Sequence, residues 1–169
     1  MSRFVDKGAI IAAYVGIGSN LGDSRGRVAQ AVAGLGGLPQ TRLVASSAFY
    51  STTAFGPVEQ RDFVNAAAGL VTRLPLDAFF EALLALEASL GRTPPRQRWG
   101  PREIDLDLLV FGQAIRADER LTLPHPGIAE RDFVLFPLRD LAPDLEVPGL
   151  GVVRDLAAAV QDRGMRRLN

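Results

Sequence analysis

Between Ile104 and Phe111 the chain reads Ile-Asp-Leu-Asp-Leu-Leu-Val-Phe, and few backbones suit that order. A strand sends alternate side chains to opposite faces, so Asp105 and Asp107 share one face while Ile104, Leu106, Leu108 and Val110 share the other. The even-numbered face is expected to be core. Two carboxylates pointing the same way repel each other, and a fold keeps them only where water, hydrogen-bond donors or a cation offset the charge. A divalent ion such as Mg²⁺ does this best, because it takes one or two carboxylates together with phosphate oxygens and retained water. Arg98 and Arg102 stand just ahead, on either side of Gly100-Pro101. That turn aims both guanidinium groups toward the carboxylates, and guanidinium pairs well with phosphate. Asp-x-Asp alone equally describes an edge strand with two solvated aspartates. The apolar run behind it favours the start of a buried strand.

The rest of the chain divides into elements of matching size. Ile10–Ile17 reads as a buried strand running into Gly18-Ser19-Asn20-Leu21-Gly22-Asp23. A dinucleotide fingerprint needs glycine at position 21, where leucine stands, so a plain strand-to-helix turn capped by Asp23 or Ser24 is expected. Val28, Ala31, Val32 and Leu35 recur at helical spacing, and Gly34, Gly36 and Gly37 supply the stop. Leu43–Thr52 is strand-like, Thr53–Arg61 is a loop, and Asp62–Thr72 is a further strand with Phe63 and Asn65 on one face and Val64, Ala66 and Ala68 on the other. A ring beside a carboxamide suits a flat heterocycle, although each residue alone reads as core and as a strand-end polar group.

Leu76–Leu90 is the clearest helix, with Leu76, Phe79, Phe80, Leu83, Leu86 and Leu90 on one side and Gly91 past its end. Arg92–Arg98, broken by Pro94 and Pro95, is expected to be mobile until nucleotide orders it. Arg120–Leu123 leads to Pro124-His125-Pro126, Ile128–Leu135 looks helical, and Val152–Val160 reads as a terminal helix. This order of elements predicts an α+β protein, a ferredoxin-like α/β sandwich with additional C-terminal elements. Residues 1–169 are read as a single domain, with 1–9 a loose tail.

Composition narrows the functional classes. The chain carries 19 Lys+Arg against 19 Asp+Glu, so its bulk charge calls for neither nucleic acid nor membrane, and anion recognition must be local. With no cysteine, thiolate metal sites and disulfides are excluded, in keeping with a cytoplasmic location.

Arg98-Trp99-Gly100-Pro101-Arg102 leading into Asp105-Leu106-Asp107 resembles the signature of the 6-hydroxymethyl-7,8-dihydropterin pyrophosphokinases. Leu123-Pro124-His125-Pro126 with Arg131 and Phe133, Gly16-Ile17-Gly18-Ser19-Asn20-Leu21, and Asp62-Phe63-Val64-Asn65-Ala66 extend the resemblance over nearly the whole chain. It implies a ferredoxin-like fold and transfer of pyrophosphate from ATP to the pterin hydroxymethyl group in folate biosynthesis, by a monomer. It also implies two Mg²⁺ ions on Asp105 and Asp107, with Arg92, Arg98 and Arg102 completing the catalytic set. The pterin contacts implied are Thr52, Phe55, Phe63, Asn65, Trp99 and Phe133. For ATP they are Glu87, Arg98, Trp99, Arg102, Leu108, Arg120, Thr122, His125 and Arg131. His125 is assigned to phosphate contact, not to proton abstraction.

Two departures stand out: Pro94 occupies a position where the family often has arginine, leaving Arg92, Arg96 and Arg98 to close over the nucleotide, and Leu84 replaces a polar residue. Two other classes compete: an RNA-binding module, which the neutral charge argues against, and a two-metal nucleotidyltransferase. Incubation with ATP, Mg²⁺ and the dihydropterin, set beside nucleic-acid primers, discriminates among all three.

Overall fold

The computed structural model describes residues 8–54, 56–93 and 100–168. Seven elements come first: β1 (Ile11–Ser19), α1 (Ser24–Gly36), β2 (Thr41–Ser46), β3 (Tyr50–Thr52), β4 (Phe63–Thr72), α2 (Leu76–Ser89) and β5 (Asp105–Phe111). A short ribbon of β6 (Arg116–Ala117) and β7 (Thr122–Leu123) follows, then a 3-10 turn at Ile128–Glu130 and α3 (Asp132–Leu141). The chain closes with β8 (Glu146–Val147), β9 (Gly151–Val152), α4 (Val153–Ala159) and β10 (Arg166–Arg167). Among the described residues the main sheet runs β10-β3-β4-β1-β5, β2 also pairs with β4, and every pairing is antiparallel. Strand, helix, strands, helix, strand in that spatial order is the ferredoxin-like sandwich expected, with a C-terminal addition.

Alternation along the strands builds two cores. On one face Ala13, Val15 and Ile17 of β1, Ala66 and Ala68 of β4, and Leu106 and Leu108 of β5 meet Val28, Ala31 and Leu35 of α1 and Phe79 and Leu83 of α2. On the other, Leu109 and Val110 meet Val134, Leu135 and Leu138 of α3 and Val153 and Ala157 of α4; Val110, expected to share the face of Leu106 and Leu108, lies in this opposite core because the β1–β5 register shifts between Tyr14 and Val15. The α1 N-terminus is capped by Asp23, whose Oδ1 accepts the Gly26 N–H at 3.0 Å.

Three further expectations need correction. Leu43–Thr52 is two strands, because Ser47 breaks the run: its N–H donates to the Ala67 carbonyl at 2.9 Å while its Oγ, not a backbone carbonyl, accepts the Ala67 N–H at 2.8 Å. Ile128–Leu135 is not one helix, since Arg131 is extended (φ −117°, ψ 104°), and the helix that follows continues through Pro137 to Leu141. β5 is the edge strand of its sheet by topology. It is nonetheless buried, with its outer rim occupied: the Leu106 N–H donates to the Glu87 carboxylate at 2.7 Å, and the Leu109 carbonyl accepts the His125 N–H at 2.9 Å.

Candidate active site

On the sheet face opposite α1 and α2, next to the start of α3, lies a cavity of about 390 Å³. Thr52, Phe63, Asn65, Arg92, Arg102, Asp105, Asp107, Arg131 and Phe133 line it, together with Gly16, Gly18, Thr53, Gly100 and Val134. Strand register explains how residues so far apart in sequence converge. Asn65 of β4 pairs with Gly18 of β1, which pairs with Asp105 of β5; one step along β5, Asp107 stands beside Gly16. The carboxamide and the acidic pair therefore flank a strip of bare glycine backbone, two strand spacings or roughly 10 Å apart. At Gly18 the bare backbone matters: a Cβ there would lie 2.7 Å from the Asn65 Oδ1.

On the carboxamide side, the Asn65 Nδ2 donates to the Thr52 Oγ at 2.6 Å, leaving its second N–H and its Oδ1 for a ligand edge. Opposite, burial and then the Asp107 charge push the Asp105 carboxyl up to about 6. Asp107 is also raised, by burial and then by the Glu87 charge. Arg92 offsets part of this, with its Nη1 at 2.6 Å from the Asp105 Oδ1 and 2.9 Å from the Glu87 Oε2; the Arg102 Nε is at 3.8 Å from Asp105. Glu87, itself raised by burial, sits behind the cavity as the link between Arg92 and β5.

The turn after β1 does more than join two elements. Asn20 is 1% exposed; its Nδ2 donates to the Gln60 Oε1 at 2.8 Å and the Arg61 carbonyl at 2.9 Å, and its Oδ1 accepts the Arg102 N–H at 2.8 Å. Ser19 Oγ adds a bond to the Glu103 carbonyl at 2.5 Å. The sequence predicts a capped turn here and includes it in the family resemblance, but no local signal marks Asn20 as a junction between distant segments.

Several residues named from sequence lie away from the cavity lining. Leu108 is 3% exposed in the α1/α2 core, so its side chain is turned away from the site. Arg120 pairs with Glu81 and stands 5.5 Å from the Phe80 ring, and Thr122 belongs to β7. The His125 Nδ1 accepts the Gly127 N–H at 3.1 Å, and burial, then the Arg131 charge, lowers its pKa to about 4. Phe55, Arg98 and Trp99, and with them the loop through Pro94 and Arg96, lie outside the described residues.

Residues 14–143 match the family model described as 7,8-dihydro-6-hydroxymethylpterin-pyrophosphokinase (HPPK). The chain belongs to this family. It is 45% identical over 156 residues to the 2-amino-4-hydroxy-6-hydroxymethyldihydropteridine pyrophosphokinase of Methylorubrum extorquens, covering 92% of this chain and 98% of the relative. To the enzyme of the same name from Pseudomonas aeruginosa it is 45% identical, over 92% of this chain and 95% of the relative. A solved Plasmodium falciparum HPPK-DHPS chain with pteroate superposes with a TM-score of 0.70 at 12% identity, a likeness of fold that takes in 90% of this chain and 43% of that longer one. As an HPPK, the protein uses ATP to transfer pyrophosphate to 6-hydroxymethyl-7,8-dihydropterin in folate biosynthesis. Among the described residues no helix is long and apolar enough to cross a membrane.

Proposed function

We propose that the row Asn65–Gly18–Asp105 divides the HPPK reaction between its two substrates, with the pterin over Asn65 and the ATP phosphates over Asp105 and Asp107. The observation that carries this reading is the register that sets carboxamide and carboxylates in one cavity with only glycine between them. On the pterin side, Phe63 and Phe133 offer faces to the flat heterocycle, and Asn65, oriented by Thr52, reads its donor–acceptor edge. Phe55 and Trp99, outside the described residues, are further pterin contacts that the family resemblance implies. On the nucleotide side, Arg92, Arg102 and Arg131 face the phosphates, with Arg98 completing the set. Glu87 holds Arg92 in place, while Arg120, Thr122 and His125 make outer nucleotide contacts, together with the backbone of Leu108.

The donor set fits Mg²⁺. Two carboxylates on one strand face line the same cavity, and burial, ahead of neighbouring negative charge, raises both, so a cation there would favour their charged forms. Asp105 and Asp107 would hold two Mg²⁺ ions, with phosphate oxygens and water filling the remaining positions. When bound, these ions neutralise charge on the transferring phosphates. The pterin hydroxymethyl oxygen forms a bond to the β-phosphorus as the bond from that phosphorus to the α–β bridging oxygen breaks, and AMP leaves. The chain contributes by fixing both reactants in line and by setting arginines around the phosphates, with no covalent enzyme intermediate. A monomer acting in the cytoplasm, with residues 1–169 as one domain, completes the reading.

Product analysis with ATP, Mg²⁺ and the dihydropterin tests it: AMP should appear in step with the pterin diphosphate, and stoichiometric ADP would refute it. Asp105→Asn and Asp107→Asn should each lower turnover by several orders of magnitude. Without metal, their melting temperatures should equal or exceed that of the parent, because a like-charge repulsion is removed and Arg92 keeps Glu87 at 2.9 Å. A large loss of metal-free stability would make the pair a structural salt bridge instead.

A further inference from the structure

The wall that carries Phe133 is fastened from outside the cavity lining. Asp132, at the start of α3, is 1% exposed. Its Oδ1 accepts the Phe133 N–H at 2.8 Å and the Arg163 guanidinium at 3.2 Å, and its Oδ2 accepts the Arg163 backbone N–H at 2.9 Å. A carboxylate this deep is kept only where such donors surround it. The same Arg163 guanidinium carbon stands 5.8 Å from the Phe133 ring centroid, within cation–π reach, and that of Arg131 stands at 5.7 Å. Arg163 thus engages both the residue that starts the helix and the ring that faces the pterin side. It lies beyond residues 14–143, the part of the chain that matches the family model.

We infer that Arg163 is a positioning residue for the pterin, holding the Phe133 ring at the angle at which it stacks on the heterocycle. This rests on the assignment of Phe133 to the pterin wall. The physical division of labour is specific. The charge of Arg163 and its backbone N–H satisfy Asp132, and the flat guanidinium steadies the ring. Lysine keeps the charge, but its compact ammonium on a shorter reach cannot bond Asp132 and stay over the Phe133 ring at once, as the wide guanidinium fork does. Of the arginines that face the phosphates, Arg92 and Arg102 stand beside Asp105, whereas Arg131 shares the Phe133 ring with Arg163, so the nucleotide side should sense the change less than the pterin side.

The experiment is steady-state kinetics on the full chain with both substrates varied, run beside thermal melts, for Arg163→Lys, Arg163→Met and Phe133→Ala. Arg163→Lys is expected to melt near the parent yet raise the pterin KM by roughly three- to tenfold, the size of a lost cation–π contact. Its ATP KM should move clearly less than its pterin KM, because Arg131 meets Arg163 only through the Phe133 ring. Arg163→Met should show the same KM split with a lower melting temperature. If it fails to fold, the lysine variant decides alone. A pterin KM fully restored by lysine, or equal rises for both substrates, overturns the inference and leaves Arg163 a structural clamp. Phe133→Ala separates the two layers of the argument. If it leaves the pterin KM unchanged, the wall assignment fails and the role of Arg163 with it; if it raises the pterin KM while the Arg163 variants do not, only the role of Arg163 falls.

Discussion

A Cβ added to Gly18 would collide with the Asn65 carboxamide, at 2.7 Å from Oδ1, and the backbone there needs no special dihedral. Gly18→Ala should therefore fold and yet turn Asn65 away from its ligand, raising the pterin KM by about tenfold or more, the worth of a polar group left unpaired. Melting and ATP KM should change little, and a loss shared equally by both substrates would count against the pterin-side placement of Asn65. His125 gives a second prediction at this scale. As the only histidine in the chain, it yields an unambiguous imidazole NMR signal, whose titration midpoint should fall near 4 instead of the ordinary 6.5. Because the folded value lies below the unfolded one, the stability from keeping this ring neutral is complete above pH 6.5 and is lost as pH falls through about 4. A midpoint near 6.5 would show the ring to be solvated.

Among the elements, β5 depends on a side chain from α2 to complete its edge. In Glu87→Ala the Leu106 N–H loses its acceptor, which should cost roughly 1–3 kcal/mol in denaturant melts, and Arg92 loses one of its two carboxylates. Glu87→Gln keeps an acceptor for Leu106 and should recover most of the stability but not the hold on Arg92. Elements such as α1, α2 and the first half of β5 are legible in the sequence because their apolar residues repeat at the period of the structure they form, whereas the shift in β5 that sends Leu109 and Val110 to one core is not. The division between β2 and β3 is not, since the Ser47 hydroxyl stands in for a backbone acceptor and leaves no trace in periodicity. The faces of Phe63, Asn65, Asp105 and Asp107 could likewise be read from alternation. The nearest partner of Asp105 could not: the neighbouring arginines pointed to Arg98 or Arg102, and Arg102 does stand at 3.8 Å, but Arg92, just past the end of α2, comes closer, to 2.6 Å. Nor could Asn20 be read as a junction, because its partners lie 40, 41 and 82 positions away.

For the molecule as a whole, the main sheet is shared by two cores, so the layer of α3 and α4 is not an independent unit. Leu138→Ala, in the second core, and Phe79→Ala, in the first, should each lower one common transition, by about 2–5 kcal/mol, and not split it into two. A separate early melt in the Leu138 variant, seen by calorimetry, would show that the C-terminal layer folds by itself. Asn20 gives this integration a local counterpart at the cavity. One amide holds the segment at Gln60 and Arg61 and the segment at Arg102, and it is nearly sealed from water. Neither segment can leave β1 without stranding half of that amide, a penalty of about 1–3 kcal/mol that falls on whichever departs first. The two segments, one of which carries Arg102 into the cavity lining, are in this sense latched by one residue, and loosening one weakens the latch on the other.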